Sequence, residues 1–305
     1  MTCVIDFLNV GFGEAAVVRI EDGQRTYCLV VDAGDTNCHK HARRCSLAQY
    51  IREYEINKID ALILTHFHKD HIGGVHEVLG HVPIGEILLH VPLPAQLLNS
   101  TLSDHSTPIL ASLSLYISIL RQAEELGIPV RQISELFSLS ELAAEFRLLM
   151  PNQAKLQQLQ AELESLQVEA LNGQQERLTR IDRLLNDTAL AVLIRYENEP
   201  AALLTSDVGL DFWDPYESEI ENVFLLQAPH HGDARHISQE LLHTVSPKVI
   251  VVSADDEGTY QLPHPEFEIF VKEHSAAQIY YTEEAGSTHR IIRMDLNERT
   301  VHLIK

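Results

Sequence analysis

The segment Thr65-His66-Phe67-His68-Lys69-Asp70-His71 constrains this chain more than any other. Four potential metal ligands fall within six residues, directly after the apolar run Ala61-Leu62-Ile63-Leu64. A strand ending in His-x-His-x-Asp-His delivers three imidazoles and a carboxylate to one point. That donor set suits Zn²⁺, Mn²⁺ or Fe, and four ligands so close together can serve two ions. The Ile72-Gly73-Gly74 that follows is expected to let the chain turn tightly into a helix. A histidine-rich surface loop is the plainer reading, but the strand before and the glycines after argue against it. The motif points to a metal site and, through it, to a metallohydrolase.

The 305 residues are 45% hydrophobic, enough for a substantial core in one large domain or two small ones. No stretch approaches the ~20 apolar residues that span a membrane. The start, Met1-Thr2-Cys3-Val4-Ile5-Asp6-Phe7, reads as a strand without a basic segment or cleavage site. The expectation is a soluble, cytoplasmic protein without a membrane partner. Cys3, Cys28, Cys38 and Cys45 are expected as free thiols. The segment Cys38-His39-Lys40-His41-Ala42-Arg43-Arg44-Cys45 fits no ligand spacing and reads as a mobile loop at the mouth of the site. Net charge is −21, from 23 basic and 44 acidic side chains. Duplex-binding proteins usually present a basic face, so tight nucleic-acid binding is disfavoured while catalysis on a phosphodiester stays open.

Val4 to Val10, Ala15 to Ile20 and Tyr27 to Asp32 are strand-like, with a hairpin loop at Glu21-Asp22-Gly23-Gln24. Leu47 to Tyr54 has helical spacing, Val75 to Leu79 continues the motif as a helix, and Ile84 to His90 returns as a strand. A helix over Ile109 to Leu126 stops at Gly127-Ile128-Pro129. After a strand at Phe146 to Pro151, leucines at 156, 159, 163 and 166, then Leu178, Ile181 and Leu184, give an antiparallel helical hairpin. This stretch, 152–185, is an insertion in a single domain covering 1–305. Its apolar stripe is expected to pack on the domain or on a second subunit, giving a homodimer, and to take no part in catalysis. Later strands run Leu190 to Tyr196, Ala201 to Thr205, Val223 to Gln227, Val249 to Ser253, Gln278 to Tyr281, His289 to Asp295 and Thr300 to Ile304. Helices fall at Ser238 to Val245 and Pro265 to Glu273. Two strand-rich halves with helices suggest two sheets sandwiched between helical layers.

Three more strand ends carry candidate chemistry. Asp207 closes Leu203-Leu204-Thr205-Ser206, placed to bridge two metals. His230 and His231 close Ala228-Pro229, and Asp32 closes Val30-Val31, where it would orient a ligand imidazole or simply make a turn.

With these residues the chain resembles the metallo-β-lactamase superfamily, whose fold is an αββα sandwich around a metal cleft. Within it, the closer resemblance is to the hydrolase domain of ComEC-type competence proteins and to phosphorylcholine esterases of like pattern. Leu8-Asn9-Val10-Gly11-Phe12-Gly13-Glu14-Ala15, Leu62 to His66, Asn186-Asp187-Thr188-Ala189-Leu190, Leu204 to Asp207, Pro229 to Gly232 and Ser246-Pro247-Lys248-Val249 follow the group's motifs in order. The resemblance implies that His66 and His68 bind one metal, Asp70 and His71 a second, and Asp207 bridges them. One of His230 and His231, with His231 favoured, would complete the second site, leaving its neighbour to support it or face substrate. Members often place another histidine about twenty residues before the bridging aspartate. Here Asp187 ligates in its place, or caps a helix, or the first metal keeps an open position. His264 would hold phosphate, protonate a leaving group, or cap its helix. His90 reads as structural, and His39, His41 and His105 have no assigned role. The departures are Phe12 for Gln, Ser206 for Gly and Asp233 for Ser; the last would repel an anion unless Arg235 or a metal pairs with it.

The expected protein is a hydrolase with two divalent ions, Zn²⁺ foremost with Mn²⁺ or Fe as alternatives. Asp70, Asp207 and His264 are its expected catalytic side chains. A hydroxide held between the ions would attack a phosphoester, with a phosphodiester as the expected substrate. A carbonyl hydrolase for lactones or thioesters is the alternative enzyme. A metal-bound module docking a partner through the hairpin is the alternative of another class.

Overall fold

The computed structural model describes residues 1–36, 38–100, 102 and 107–305, so His105 lies outside the described residues. The chain opens with three strands, β1 (Thr2–Leu8), β2 (Ala16–Glu21) and β3 (Thr26–Val31). Next come α1 (Leu47–Glu53), β4 (Ile59–Ile63), α2 (Lys69–Ile72), β5 (Ile84–Leu89), α3 (Ala95–Leu98), α4 (Pro108–Glu125) and β6 (Val130–Gln132). The middle holds β7 (Phe137–Glu141), β8 (Ala144–Leu149), α5 (Gln153–Glu164), α6 (Gln175–Asp187), β9 (Ala191–Tyr196) and β10 (Glu199–Leu204). The last part has β11 (Leu225–Gln227), α7 (Gln239–Val245), β12 (Val249–Val252), α8 (Pro265–His274), β13 (Gln278–Tyr281), β14 (Ile291–Asp295) and β15 (Thr300–Ile304).

Among the described residues these strands form two sheets, ordered β15-β14-β1-β2-β3-β4-β5-β6 and β13-β12-β11-β10-β9-β8-β7. Strand alternation builds the layers, because successive side chains point to opposite faces. On β4, Ala61 and Ile63 enter the core between the sheets, with Phe7, Val18, Phe146, Val192 and Val251. Leu62, one residue out of phase, joins an outer core with α1, α4, α5 and α6. Across the molecule, Leu203, Leu226 and Ile250 pack under Leu242 of α7 and Phe267 of α8. The result is the expected αββα sandwich.

Several local expectations change. Residues 73–77 form a 3-10 turn instead of a longer helix, and β6 and β7 are edge strands that the sequence reading missed. Gly73 and Gly74 serve close packing more than turning. A Cβ on Gly73 would sit 2.5 Å from the Thr36 nitrogen, and one on Gly74 would sit 2.2 Å from the Ala33 oxygen. The Cys38–Cys45 segment is anchored: Arg43 pairs with Asp256 at 2.6 Å, and the buried Arg44 pairs with the buried Glu283 at 2.8 Å. The four cysteines are buried and free, as expected. Leu156, Leu159, Leu163, Leu166, Leu178 and Ile181 are all buried in the outer core, and Leu184 packs against it partly buried. The stripe on which the dimer expectation rested is thus covered by the chain's own domain.

Candidate metal centre

The candidate ligands lie just past the carboxyl ends of strands that run parallel to a neighbour, where open α/β sheets form clefts. Asp32 follows β3, the His66–His71 segment follows β4, Asp207 follows β10, and His230 and His231 follow β11. Three of these turns are tight: Asp32, Ser206, His230 and His231 have φ of 58°, 50°, 47° and 56°. Non-glycine residues adopt that region at a cost and persist there when the surroundings fix them. At Ser206 the cost is offset by its hydroxyl, 2.8 Å from Thr65 Oγ1.

Asp207 divides its two oxygens between two groups. Oδ1 lies 3.3 Å from His71 Nε2 and 3.5 Å from His231 Nε2. Oδ2 lies 3.7 Å from His66 Nε2 and 3.6 Å from His230 Nε2. Asp70 Oδ2 joins the first group, 3.2 Å from His231 Nε2 and 3.8 Å from His71 Nε2. His68 Nδ1 joins the second, 3.0 Å from His66 Nε2. Donors of a tetrahedral Zn²⁺ site, bonded at about 2.0–2.1 Å, stand roughly 3.3 Å apart. The observed separations bracket that value on both sides of Asp207. His71 Nε2, His231 Nε2 and Asp207 Oδ1 are also buried with no hydrogen-bond partner. Such groups are costly unless something satisfies them, and a divalent cation among them does so.

The other nitrogen of each of four imidazoles faces an acceptor. His71 Nδ1 lies 2.8 Å from Asp32 Oδ2, and His231 Nδ1 lies 2.8 Å from the Ser253 carbonyl. His66 Nδ1 is 3.2 Å from Thr65 Oγ1, and His68 Nε2 is 3.2 Å from Asp182 Oδ1. Donation to those acceptors leaves the cleft-facing nitrogen with its lone pair, the form that binds metal. Asp32 is itself held by the Thr65 N–H at 2.9 Å and hydroxyl at 2.6 Å, so it orients His71 and is more than a turn residue.

Burial would raise Asp207, but the imidazoles of His71, His230 and His231 pull it well below the usual carboxylate range. Burial would lower His71; Asp207, Asp32 and Asp70 outweigh it and hold His71 well above its ordinary value. His231 behaves alike and is raised to about 9. Burial depresses His66, helped by His71 and His68. These opposed shifts are those of a negatively charged cavity that holds protons where cations fit.

Six of the eight sequence-expected ligands converge on Asp207 or Asp70: His66, His71, His230 and His231, with the two carboxylates themselves. His68 joins them through His66. Asp187 does not. It is the last residue of α6, about half exposed, with Lys155 Nζ 3.4 Å away, so it neither meets the cluster nor caps a helix start. Its neighbour Asn186 turns inward instead, with Nδ2 3.2 Å from His230 Nε2. His264 stands behind the centre: its Nδ1 accepts from the Ala234 N–H at 3.2 Å and faces Asp233. It holds the N-cap position of α8 without a side-chain capping bond. Asp233 pairs with Arg235 at 2.6 Å, which removes the repulsion expected toward an anion. His90 is buried and structural, with Nε2 2.5 Å from the Thr188 carbonyl.

Sequence reading missed four residues here. Asp182 lies on the hairpin that was expected to stay out of the site, and Asn186 stood in a noted motif whose ligand role was given to its neighbour Asp187. His236, with Nε2 3.3 Å from His230 Nδ1, sits in no motif. Glu14 is fully buried, its Oε1 lacks a partner, and burial raises it to about 8. Glu14 lies within the opening motif already noted, which was the available signal.

The centre opens into a cleft of about 750 Å³, lined by Arg44, Lys69, Asp182, Asn186, Arg235 and Tyr260 among others. Phe12 forms part of its wall, with its ring 4.5 Å from that of His231.

A sequence model described as the metallo-beta-lactamase superfamily matches residues 9–104. ComE operon protein 3 of Bacillus subtilis is 21% identical over 93% of this chain and 32% of its own length. The thioesterase pkgB of Emericella nidulans is 32% identical over 31% of this chain and 27% of its own length. The chain thus spans about a third or less of these curated relatives. A solved diphosphatase of the PhnP family shares the fold at 13% identity, with a TM-score of 0.50 over 97% of this chain and 98% of that one. Among the described residues no helix is long and apolar enough to cross a membrane. Residues 9–104 are thus similar to the metallo-β-lactamase superfamily, most of the chain is similar to about a third of the competence protein, and the sandwich fold is shared with the solved diphosphatase.

Proposed function

We propose that this chain is a dinuclear hydrolase of phosphodiesters. The observation that carries the reading is Asp207, whose two oxygens face two separate imidazole groups. His66 and His68 would hold one ion, Asp70, His71 and His231 the other, with Asp207 between them. Two divalent ions there, Zn²⁺ foremost for this nitrogen-rich set, supply activated water and withdraw charge from phosphoryl oxygens.

The chain's own residues provide the rest. Asp32, Thr65, Asp182 and the Ser253 carbonyl fix the protonation of the ligand imidazoles before substrate arrives. Lys69, 3.1 Å from Asp35, and Arg44, paired with Glu283, line the cleft as ion pairs, and Phe12 and Tyr260 give it an aromatic wall with ring centroids 5.2 Å apart. Such a wall suits an ester bearing a flat or apolar substituent. The outer Arg235, paired with Asp233, keeps that acid from opposing the anion. Net charge of −21 disfavours long nucleic acid and favours a small diester.

Thioester hydrolysis is the second reading, favoured by the similarity of 101 residues to a thioesterase. Protein stripped of metal and reloaded with Zn²⁺, Mn²⁺ or Fe²⁺ would be assayed on bis(p-nitrophenyl) phosphate, p-nitrophenyl phosphate, a lactone set and acyl thioesters. Diester turnover well above monoester and thioester turnover is the expected result. Thioester turnover with inert diesters would replace the proposal by the second reading.

A further inference from the structure

The first metal position lacks the histidine that the superfamily it resembles often places before the bridging aspartate, and Asn186 stands near that place. We propose that His230 supplies the missing ligand, with His236 as the positioning residue that turns its Nε2 lone pair into the cleft. The inference rests on the dinuclear reading above and assigns a donor that it leaves unfilled.

Proton counting along one chain of hydrogen bonds carries it. The Val208 carbonyl can only accept, and His236 Nδ1 lies 3.1 Å from it, so that nitrogen bears hydrogen. His236 Nε2 then offers a lone pair, 3.3 Å from His230 Nδ1, which must donate to it. His230 Nε2 is left as an acceptor. The opposite end agrees independently: the Asn186 Nδ2 amide can only donate, and it lies 3.2 Å from that same Nε2. Both ends assign the lone pair to the nitrogen that faces the cleft.

The lone pair is also in the right place. His230 Nε2 is 3.6 Å from Asp207 Oδ2, which is in turn 3.7 Å from His66 Nε2, and His68 Nδ1 is 3.0 Å from the latter. Those are edges of a site with three imidazoles and one carboxylate oxygen. His231, the adjacent residue, serves the other side of Asp207, so consecutive imidazoles are split between the two positions. The left-handed conformation of both residues, φ 47° and 56°, is the backbone device that places them so. Asn186 Oδ1 is buried without a partner, so the amide makes no competing bond through its oxygen.

The test uses His230→Asn, because asparagine tolerates left-handed backbone yet is too short to reach, together with His236→Leu and His236→Gln. Metal content is measured by elemental analysis, affinity by chelator competition, and coordination by the absorption spectrum of Co²⁺-loaded protein. Wild type should hold two ions. His230→Asn should weaken one of them at least tenfold and change the Co²⁺ bands. His236→Leu should do the same within about 10–100-fold, and His236→Gln, which can accept from His230 and donate to Val208, should restore affinity. Two ions held by His230→Asn with wild-type affinity and spectrum would overturn the assignment, even if turnover fell, since His230 would then act on substrate. His236→Leu that melts lower yet keeps both affinities would overturn the positioning role. A wild type that binds no divalent ion would instead overturn the dinuclear reading itself, which separates the two failures. If His230→Asn does not fold, the His236 pair decides the matter through affinity alone.

Discussion

Asp182 Oδ1 lies 3.2 Å from His68 Nε2, so α6 reaches the motif that begins the candidate metal centre. Asp182 is on α6, one residue after Ile181, which is fully buried in the outer core. The apolar stripe that seats the hairpin therefore also sets the position of its one carboxylate on the ligand shell. A carboxylate behind a ligand histidine fixes its ring and raises its basicity. Asp182→Ala should lower affinity for the ion beside His66 and His68 by about 10–100-fold. The melting temperature of metal-free protein should hardly move, because this side chain is half exposed. Chelator competition on the variant checks this, and unchanged affinity would leave Asp182 as an ordinary surface acid.

The close approach at Gly74 gives a second prediction. Its missing Cβ leaves room for the Ala33 carbonyl, and its N–H donates to the Gly34 carbonyl at 3.0 Å. Gly74→Ala forces backbone apart beside both Asp32 and His71. The expected loss is about 2–3 kcal/mol of stability, with weaker metal binding. Urea unfolding of metal-free protein measures the first and elemental analysis the second; a variant as stable as wild type would show that the turn has slack.

Much of this site was legible because ligands come in short motifs at strand ends, and strand ends follow from hydrophobic alternation. His66, His68, Asp70 and His71 needed only Ala61 to Leu64 before them. What stayed hidden depends on contacts between distant segments. Asp182 and Asn186 look like the polar face of an amphipathic helix, and only the docking of that helix shows which of its polar residues point inward. Asp187 illustrates the limit: an acid one residue out of phase points away from the cluster to Lys155. The hairpin also shows why burial cannot be read from a stripe alone, since a stripe of leucines suits a partner or the chain's own core equally well. The edge strand β6 escaped notice because it is three residues long and exposed, whereas β7 does alternate, with Phe137 and Leu139 packed on the inner core between the exposed Ser138 and Ser140.

Ser206 offers a test of backbone strain. Its φ of 50° is a conformation that costs non-glycine residues about 1–2 kcal/mol, and its hydroxyl contact with Thr65 returns about 1 kcal/mol. Ser206→Ala keeps the strain and loses the hydroxyl, whereas Ser206→Gly loses both. The alanine variant should therefore be the less stable of the two by about 1 kcal/mol. Denaturant titration of metal-free protein orders them, and the reverse order would mean that Ser206 is not strained.

His90 gives a stability effect with a definite sign in pH. Burial, only partly opposed by its bond to the Thr188 carbonyl, lowers its pKa from 6.5 to about 4. The unfolded chain, with an ordinary imidazole, therefore binds the proton more readily between those values. The stabilising contribution is complete above about pH 6.5 and is lost as the pH falls toward 4. A displacement of that size corresponds to about 3 kcal/mol across the window. His90→Gln can still donate to the Thr188 carbonyl but does not titrate. Between pH 6.5 and 4 the variant should lose about 3 kcal/mol less stability than wild type, measured by urea unfolding of metal-free protein at each pH. Ligand histidines titrate in both proteins, so the difference between the two curves isolates His90; parallel curves would mean that this imidazole takes up its proton without leaving the core.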